Sequence, residues 1–355
     1  MGVPVIPGLD WGIGLGNVYW LVNSTADSNP YYAQLKSKVD SSTIFTTLNA
    51  AHTACTTGQG DTIFVTPGVY TMTAEMDFTK SHINVIGTYG PNNQLTYSSG
   101  RDMHACTFYT VTEAVANLVH VTGYRNNFYG LSFVNAGAAA TNLCAVKIGG
   151  LASSNTSYSN YFNRCTFHGC MSTSQNTTEN CSIMISSGSS NYMFEDCIIG
   201  QNTYGGDRAT TYQGHVYYCG TGDSGSTAGY ATQNGVWRNC IFLSRTATAG
   251  IVPVIRIGDH SAAHGSPTGD ESWDRAHWWI NCVFDNWGAI NMPTVFYNNC
   301  ASGAGVAKLY NCAAYNYEEW RVVYGAQVGE GVANILANMP VSNATDAGIA
   351  VEPTA

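Results

Sequence analysis

Six short segments of this chain share one pattern: a large apolar residue, any residue, a polar residue, a cysteine, any residue, an apolar residue. Residues 162–167 (FNRCTF), 194–199 (FEDCII), 237–242 (WRNCIF) and 279–284 (WINCVF) follow it closely. Residues 309–314 (LYNCAA) are a weaker copy, and 128–133 (FYGLSF) carry Leu131 where the others carry cysteine. From Cys165 through Cys197, Cys240 and Cys282 to Cys312 the steps are 32, 43, 42 and 30 residues. Self-similarity on that scale means a solenoid or array, because one such unit cannot bury its apolar face alone.

Most copies are preceded by a second strand-like run, as at 119–121, 146–149, 183–185 and 255–258, where apolar residues alternate with period two. Two or three short strands per repeat predict an all-β fold, a right-handed parallel β-helix. Equivalent residues of successive coils then stack at strand spacing, about 4.8 Å. Cysteine is small and apolar, and suits an inward column. The expected core ladder is Leu131, Cys165, Cys197, Cys240, Cys282 and Cys312. Asparagine before the cysteine fits a tight bend, where it tolerates left-handed geometry. The repeats exceed a minimal coil, so long loops should leave the helix at 152–161, 200–214, 221–234 and 258–276.

Composition agrees. Only 10% of the 355 residues are charged, against roughly 25% on average. The Glu, Lys, Arg and Leu that fill helix surfaces are scarce, which excludes a helical bundle. Aromatic content excludes disorder, and no apolar run approaches the ~20 residues of a membrane span. The net charge of −9 and the scattered basic residues exclude nucleic-acid binding through clustered phosphate contacts. Twelve cysteines in so long a chain, with no C-x-x-C pair, predict reduced structural thiols rather than a disulfide scaffold or a metal site; no metal and no cofactor is expected. The first basic residue is Lys36, so no charged segment precedes an apolar one. The expectation is a chain made and folded in a host cytoplasm.

A solenoid needs covered ends. Residues 42–55 show helical spacing with Ser42 as N-cap. A strand into a Pro-Gly turn follows (GDTIFVTPGVY, 60–70), then another strand (INVIG, 83–87). This order resembles the opening of the pectate-lyase-like superfamily of right-handed parallel β-helices. The likeness is close over 42–90 and loose to about 318. It implies a fold more than an activity, since the fold hosts lyases, hydrolases, adhesins and viral spikes. The Gly- and aromatic-rich opening GLDWGIGLGNVYW (8–20) resembles that of tailed-bacteriophage virion β-helix proteins. The expected organisation is an N-terminal arm (1–41), capping helix and first coil (42–90), coils (91–324) and a C-terminal cap or tail (325–355). A short helix is expected at 332–336.

Enzymes of the superfamily bring clustered carboxylates. Sugar hydrolysis needs two flanking the bond, and uronate elimination needs a cation and a positioned base. This sequence has no Asp-Asp pair and no Gly-His-Gly, and no carboxylate lies between Glu113 and Glu179. Glu195-Asp196 falls inside a repeat, where Asp196 takes the asparagine-type bend position. No catalytic residue is therefore expected. The best alternative set is the loop carrying Asp259, His260, His264, Asp270, Glu271, Asp274 and His277, in which 257–260 (IGDH) faintly resembles a pectate-lyase segment. Trp237, Trp278, Trp279 and Trp287 are expected mainly in the core, with sugar stacking as the alternative.

Two functions follow as expectations. The first is a non-enzymatic structural protein of a bacteriophage virion: a surface-exposed capsid decoration or short spike, a homotrimer packed on the major capsid or other virion proteins, with glycan contact open. The alternative is a polysaccharide lyase or hydrolase. Neither a nucleic acid nor a membrane is an expected partner.

Overall fold

The computed structural model describes residues 16–88, 96–98, 101–103, 105–137, 139, 141–149, 157–169, 180–186, 188–200, 214–218, 232–244, 254–257, 273–274, 276–286, 292–298, 306–323, 334–336 and 341–342. Among them the strands form three long parallel sheets of eleven, nine and eight strands, and a fourth of four short strands. One coil shows the path. Asn117–Val121 lies in the eight-stranded sheet, Asn127–Tyr129 in the eleven-stranded and Ser132–Asn135 in the nine-stranded. The chain then returns to the eight-stranded sheet at Cys144–Ile148. This is a parallel β-helix. Only Thr96–Ser98 and Arg101–Met103 pair antiparallel among the described strands.

Register converts the sequence repeat into columns. Phe128 pairs with Val85 and Phe162, Phe194 with Phe162 and Trp237, and Trp279 with Trp237 and Leu309. All of these point inward and are buried. Their rings lie face to face: Phe128–Phe162 at 4.6 Å, Phe162–Phe194 at 4.8 Å and Phe194–Trp237 at 4.1 Å. The parallel planes follow from strand spacing, which sets identical side chains at a stacking distance.

The turn between the eleven- and nine-stranded sheets is one residue in left-handed geometry. Gly130, Arg164, Asp196, Asn239, Asn281 and Asn311 all have φ between 49° and 64°. Each of the first five donates its backbone N–H to a carbonyl of the next coil, at 2.8–3.0 Å. The asparagine side chains add a second ladder: Asn239 Nδ2 to Asp196 Oδ1 at 3.0 Å, Asn281 to Asn239 at 3.1 Å and Asn311 to Asn281 at 2.9 Å. A short amide reaches its neighbour one strand away, which explains the residue choice.

The N-terminal cap differs from the expected helix. Residues 42–55 are not one helix: Ser41–Thr43 is a 3₁₀ turn capped by Asp40, and Ile44–Phe45 is a strand. The helix runs only Leu48–Ala54, with Thr47 as N-cap accepting from the Ala50 N–H at 3.2 Å. Thr43, Ile44, Phe45, Thr46 and Thr47 are β-branched or aromatic, stiff in a helix and suited to a strand. That strand pairs in parallel with Trp20 and Leu21, so Val18–Leu21 joins the eleven-stranded sheet between two later strands. Helix residues Leu48 and Ala51, followed by Cys55, close the core. Asp61 is fully buried and its carboxylate accepts from the N–H groups of Asn17 and Thr56, both at 2.6 Å. It ties arm, helix and first coil together.

At the other end, Asn334–Leu336 is a strand paired with Val306–Lys308 rather than the expected helix. Val341–Ser342 pairs with Ala314–Tyr315. Coil pairing thus continues past residue 325, into the region assigned to a cap or tail. A sheet edge offering unpaired backbone groups outweighs the weak local helix preference of 332–336.

Candidate functional site

Most of the alternative catalytic loop falls outside the described residues. Asp259, His260, His264, Asp270 and Glu271 lie outside the described residues, as does Trp287. Asp274 is placed only by its backbone, in the strand Trp273–Asp274 paired with Thr232–Gln233. His277 is fully buried. Its Nδ1 receives the Gly235 N–H at 3.3 Å and faces the Tyr192 hydroxyl at 3.1 Å. Its Nε2 lies 3.2 Å from the Thr232 carbonyl. A carbonyl only accepts, so the proton sits on Nε2 and the ring is a neutral structural bridge. Glycine at 235 is required, because a Cβ there would meet the Tyr192 hydroxyl at 2.3 Å.

Leu131, Cys165, Cys197, Cys240, Cys282 and Cys312 form one buried column. Each cysteine Sγ lies 3.3–3.5 Å from the carbonyl of the large apolar residue one coil earlier: Phe128, Phe162, Phe194, Trp237 and Trp279 in turn. None of the five cysteines is in a disulfide. Burial pushes the Cys165 thiol up to about 12, and raises Cys197, Cys240 and Cys282 as well. For Cys312 the Cys282 contact raises it most, then burial. A neutral, inaccessible thiol is neither a nucleophile nor a metal ligand.

A groove of about 810 Å³ runs along the outward side of the eleven-stranded sheet. Its floor is the residue just before each inward aromatic or aliphatic: Asn84, Asn127, Tyr161, Met193, Val236 and Trp278. One wall is a second column of left-handed bend residues, His82, Arg125, Ser159, Asn191 and Asn234, with φ between 51° and 63°. Asn127 donates to Asn84 Oδ1 at 2.7 Å, and Asn234 to Asn191 Oδ1 at 3.1 Å. Among the described residues the lining contains amides, aromatics, an arginine and a histidine, and no carboxylate. The nearby Glu195 is already engaged. It accepts from the Tyr161 hydroxyl, from Asn163 Nδ2 at 3.2 Å and from the Arg238 guanidinium at 3.1 Å. Burial and the Glu195 contact raise the Tyr161 phenol above its usual range. Such a surface can stack on and hydrogen-bond to a polyhydroxylated chain, and its described residues include no pair of carboxylates. Of the four tryptophans, Trp237 and Trp279 are core residues and Trp278 faces the groove. The groove's sequence signal was the residue preceding each repeat, which is variable and so escaped the repeat pattern.

On the eight-stranded sheet, Asp77 pairs with His120 across one coil step. His120 Nδ1 lies 3.4 Å from Asp77 Oδ1 and 3.6 Å from Glu75 Oε1. Its Nε2 lies 2.7 Å from the Gly149 carbonyl. Glu75 is held by the Asn117 N–H at 3.2 Å and by Asn117 Nδ2 at 3.2 and 3.3 Å.

No protein-family model and no curated protein matches the sequence. Solved structures do match in shape. A pectin methylesterase solved with a hexasaccharide aligns over 90% of this chain and 93% of its own, at 11% identity and TM-score 0.51. A rhamnogalacturonan lyase aligns over 95% and 90%, at 15% identity and TM-score 0.51. A protein of Geobacillus virus E2 aligns over 80% of this chain and 59% of its own, at 12% identity, but its TM-score of 0.40 carries no argument. At these identities the likeness speaks for shape alone: the chain has the right-handed parallel β-helix fold found in pectin-degrading enzymes.

Proposed function

We propose that this chain is a non-catalytic structural protein of a bacteriophage particle, displayed on the surface as a capsid decoration or short spike. The observation that carries the non-catalytic half is the groove. Its described lining holds aromatic and amide groups at coil spacing and no carboxylate, which suits holding a glycan rather than cleaving one. The phage half rests on the opening segment 8–20 and its likeness to virion β-helix proteins. A homotrimer seated on the major capsid or other virion proteins is part of the same reading, as is location in the virion. Few charges and many neutral ladders suit a surface that packs on neighbours.

The alternative is a polysaccharide lyase or hydrolase. The fold of the shape neighbours favours it, as does the loop with Asp259, His260, Asp270, Glu271 and Asp274. One pair of measurements separates the readings. Purified chain is incubated with uronate-containing and capsular polysaccharides, and purified particles are quantified by mass spectrometry. The structural reading expects no cleavage and many copies per particle. Cleavage abolished by Asp259→Ala or His260→Ala overturns it in favour of the enzyme, and absence of the chain from particles overturns the virion assignment.

A further inference from the structure

We propose that Glu75, Asp77 and His120 bind a divalent transition-metal cation of the zinc type, clamping the strand Met76–Phe78 to the strand Asn117–Val121. The inference does not depend on the function proposed above.

The ring of His120 sets the chemistry. The residue is 6% exposed. Its Nε2 sits 2.7 Å from a backbone carbonyl, which only accepts, so Nε2 carries the proton. In a neutral imidazole the other nitrogen then presents a lone pair. That lone pair faces two carboxylates, at 3.4 and 3.6 Å. Both distances exceed an ordinary N–H···O⁻ bond of about 2.7–2.9 Å. They match the spacing of donors around one ion, since ligands about 2.1 Å from a tetrahedral centre stand roughly 3.4 Å apart. The three donor atoms all lie within 4.8 Å of one another. Two carboxylates and a lone pair thus converge on one point, an arrangement that a bound cation completes.

The surroundings hold each ligand in place. The Gly149 carbonyl fixes the ring tautomer and orientation, and the Asn117 backbone and side-chain amides hold the Glu75 carboxylate. Outer partners of this kind are what orient metal ligands. One imidazole with two carboxylates favours a zinc-type ion over calcium, which takes six to eight oxygens. The Asp77 side chain is 66% exposed, so the fourth position opens to solvent.

The test uses the full chain, freed of metal with a chelator. It is titrated with Zn²⁺ and Ca²⁺ by calorimetry and with Co²⁺ by visible absorption. The expected result is one Zn²⁺ per chain, a raised thermal midpoint, and cobalt bands without thiolate charge transfer. Asp77→Asn and Glu75→Gln are expected to keep the wild-type circular dichroism and to weaken Zn²⁺ by about tenfold or more. No Zn²⁺ binding by the wild type overturns the proposal and leaves the charge balance to Lys147, which pairs with His120 one coil on. Preference for Ca²⁺, a thiolate band, or unchanged affinity in both variants overturns it as well.

Discussion

Trp278 and Trp279 are adjacent in sequence and belong to different parts of the molecule. Trp279 is fully buried, registered between Trp237 and Leu309. Trp278 points the other way, onto the groove, with Lys308 Nζ 4.2 Å above its ring and Tyr310 stacked at 5.7 Å. A strand alternates faces with period two, so one residue step separates a core column from the floor of the outward groove. Inside, the columns are repeated thiols and rings. Outside, the floor changes from amide at Asn84 and Asn127 to apolar at Met193 and Val236. The repeated column supplies the core contacts, and the chemical differences from coil to coil lie in the outward one.

The largest effect is expected from alkali, which acts on the buried thiols of the inward column. The repeat thiols are raised above their ordinary value of 9.0 by burial and mutual contact. A group whose folded pKa is raised adds stability that is complete below the unfolded pKa and is lost as pH climbs toward the folded one. Between pH 9 and about 12, where Cys165 ionises in the fold, each such thiol removes at most about 1.4 kcal/mol per pH unit. Urea midpoints measured from pH 8 to 11 should fall steeply. Cys197→Ala combined with Cys240→Ala should flatten the slope; an unchanged slope would place the alkaline sensitivity elsewhere, in the buried tyrosines. Next comes Trp237→Ala, which leaves a hole between Phe194 and Trp279 and should cost about 3–5 kcal/mol by equilibrium unfolding.

This inward column is also what the sequence displayed. The cysteine period is visible because every coil needs the same small apolar residue at the same place, and the left-handed bend explains the asparagine beside it. What was not legible depends on register. Glu75 and Asp77 meet His120 only because one coil step happens to align Asp77 with His120. Nothing in spacing along the chain marks that step, since the inserted loops vary its length. The groove was hidden for a related reason: its floor residues share a position but not a residue type. At the ends, a competing edge decided. Ile44–Phe45 found a strand partner in Trp20 and Leu21, and Asn334–Leu336 found one in Val306–Lys308, so local helix spacing misled in both places.

The bend column lies between the two faces and should show an intermediate effect. Asn281 has φ 55° and links Asn239 to Asn311 through its side chain. Asn281→Ala keeps the left-handed geometry but removes the side-chain bonds that help asparagine tolerate it, a cost of about 1–2 kcal/mol. Asn281→Gly relieves the backbone part and loses only the side-chain ladder. Thermal midpoints in the order wild type, glycine, alanine would assign the cost to backbone geometry. Equal losses would assign it to the amide ladder.

The smallest effect on stability is expected at Trp278. Its indole is partly exposed and gives up one lysine contact and one ring stack, so Trp278→Ala should cost no more than about 1 kcal/mol. The same substitution removes the broadest flat surface of the groove floor. If the groove holds a glycan, binding to an immobilised polysaccharide panel should drop by at least about tenfold, because a stacked ring is a concentrated contact. Asn127→Ala tests the amide half of the floor in the same assay, though it also breaks the bond to Asn84. Loss of binding with Trp278 but not with Asn127 would put the ligand over the apolar half. A Trp278→Ala protein as destabilised as Trp237→Ala would abolish the distinction between the two faces, since the outward column would then be part of the core.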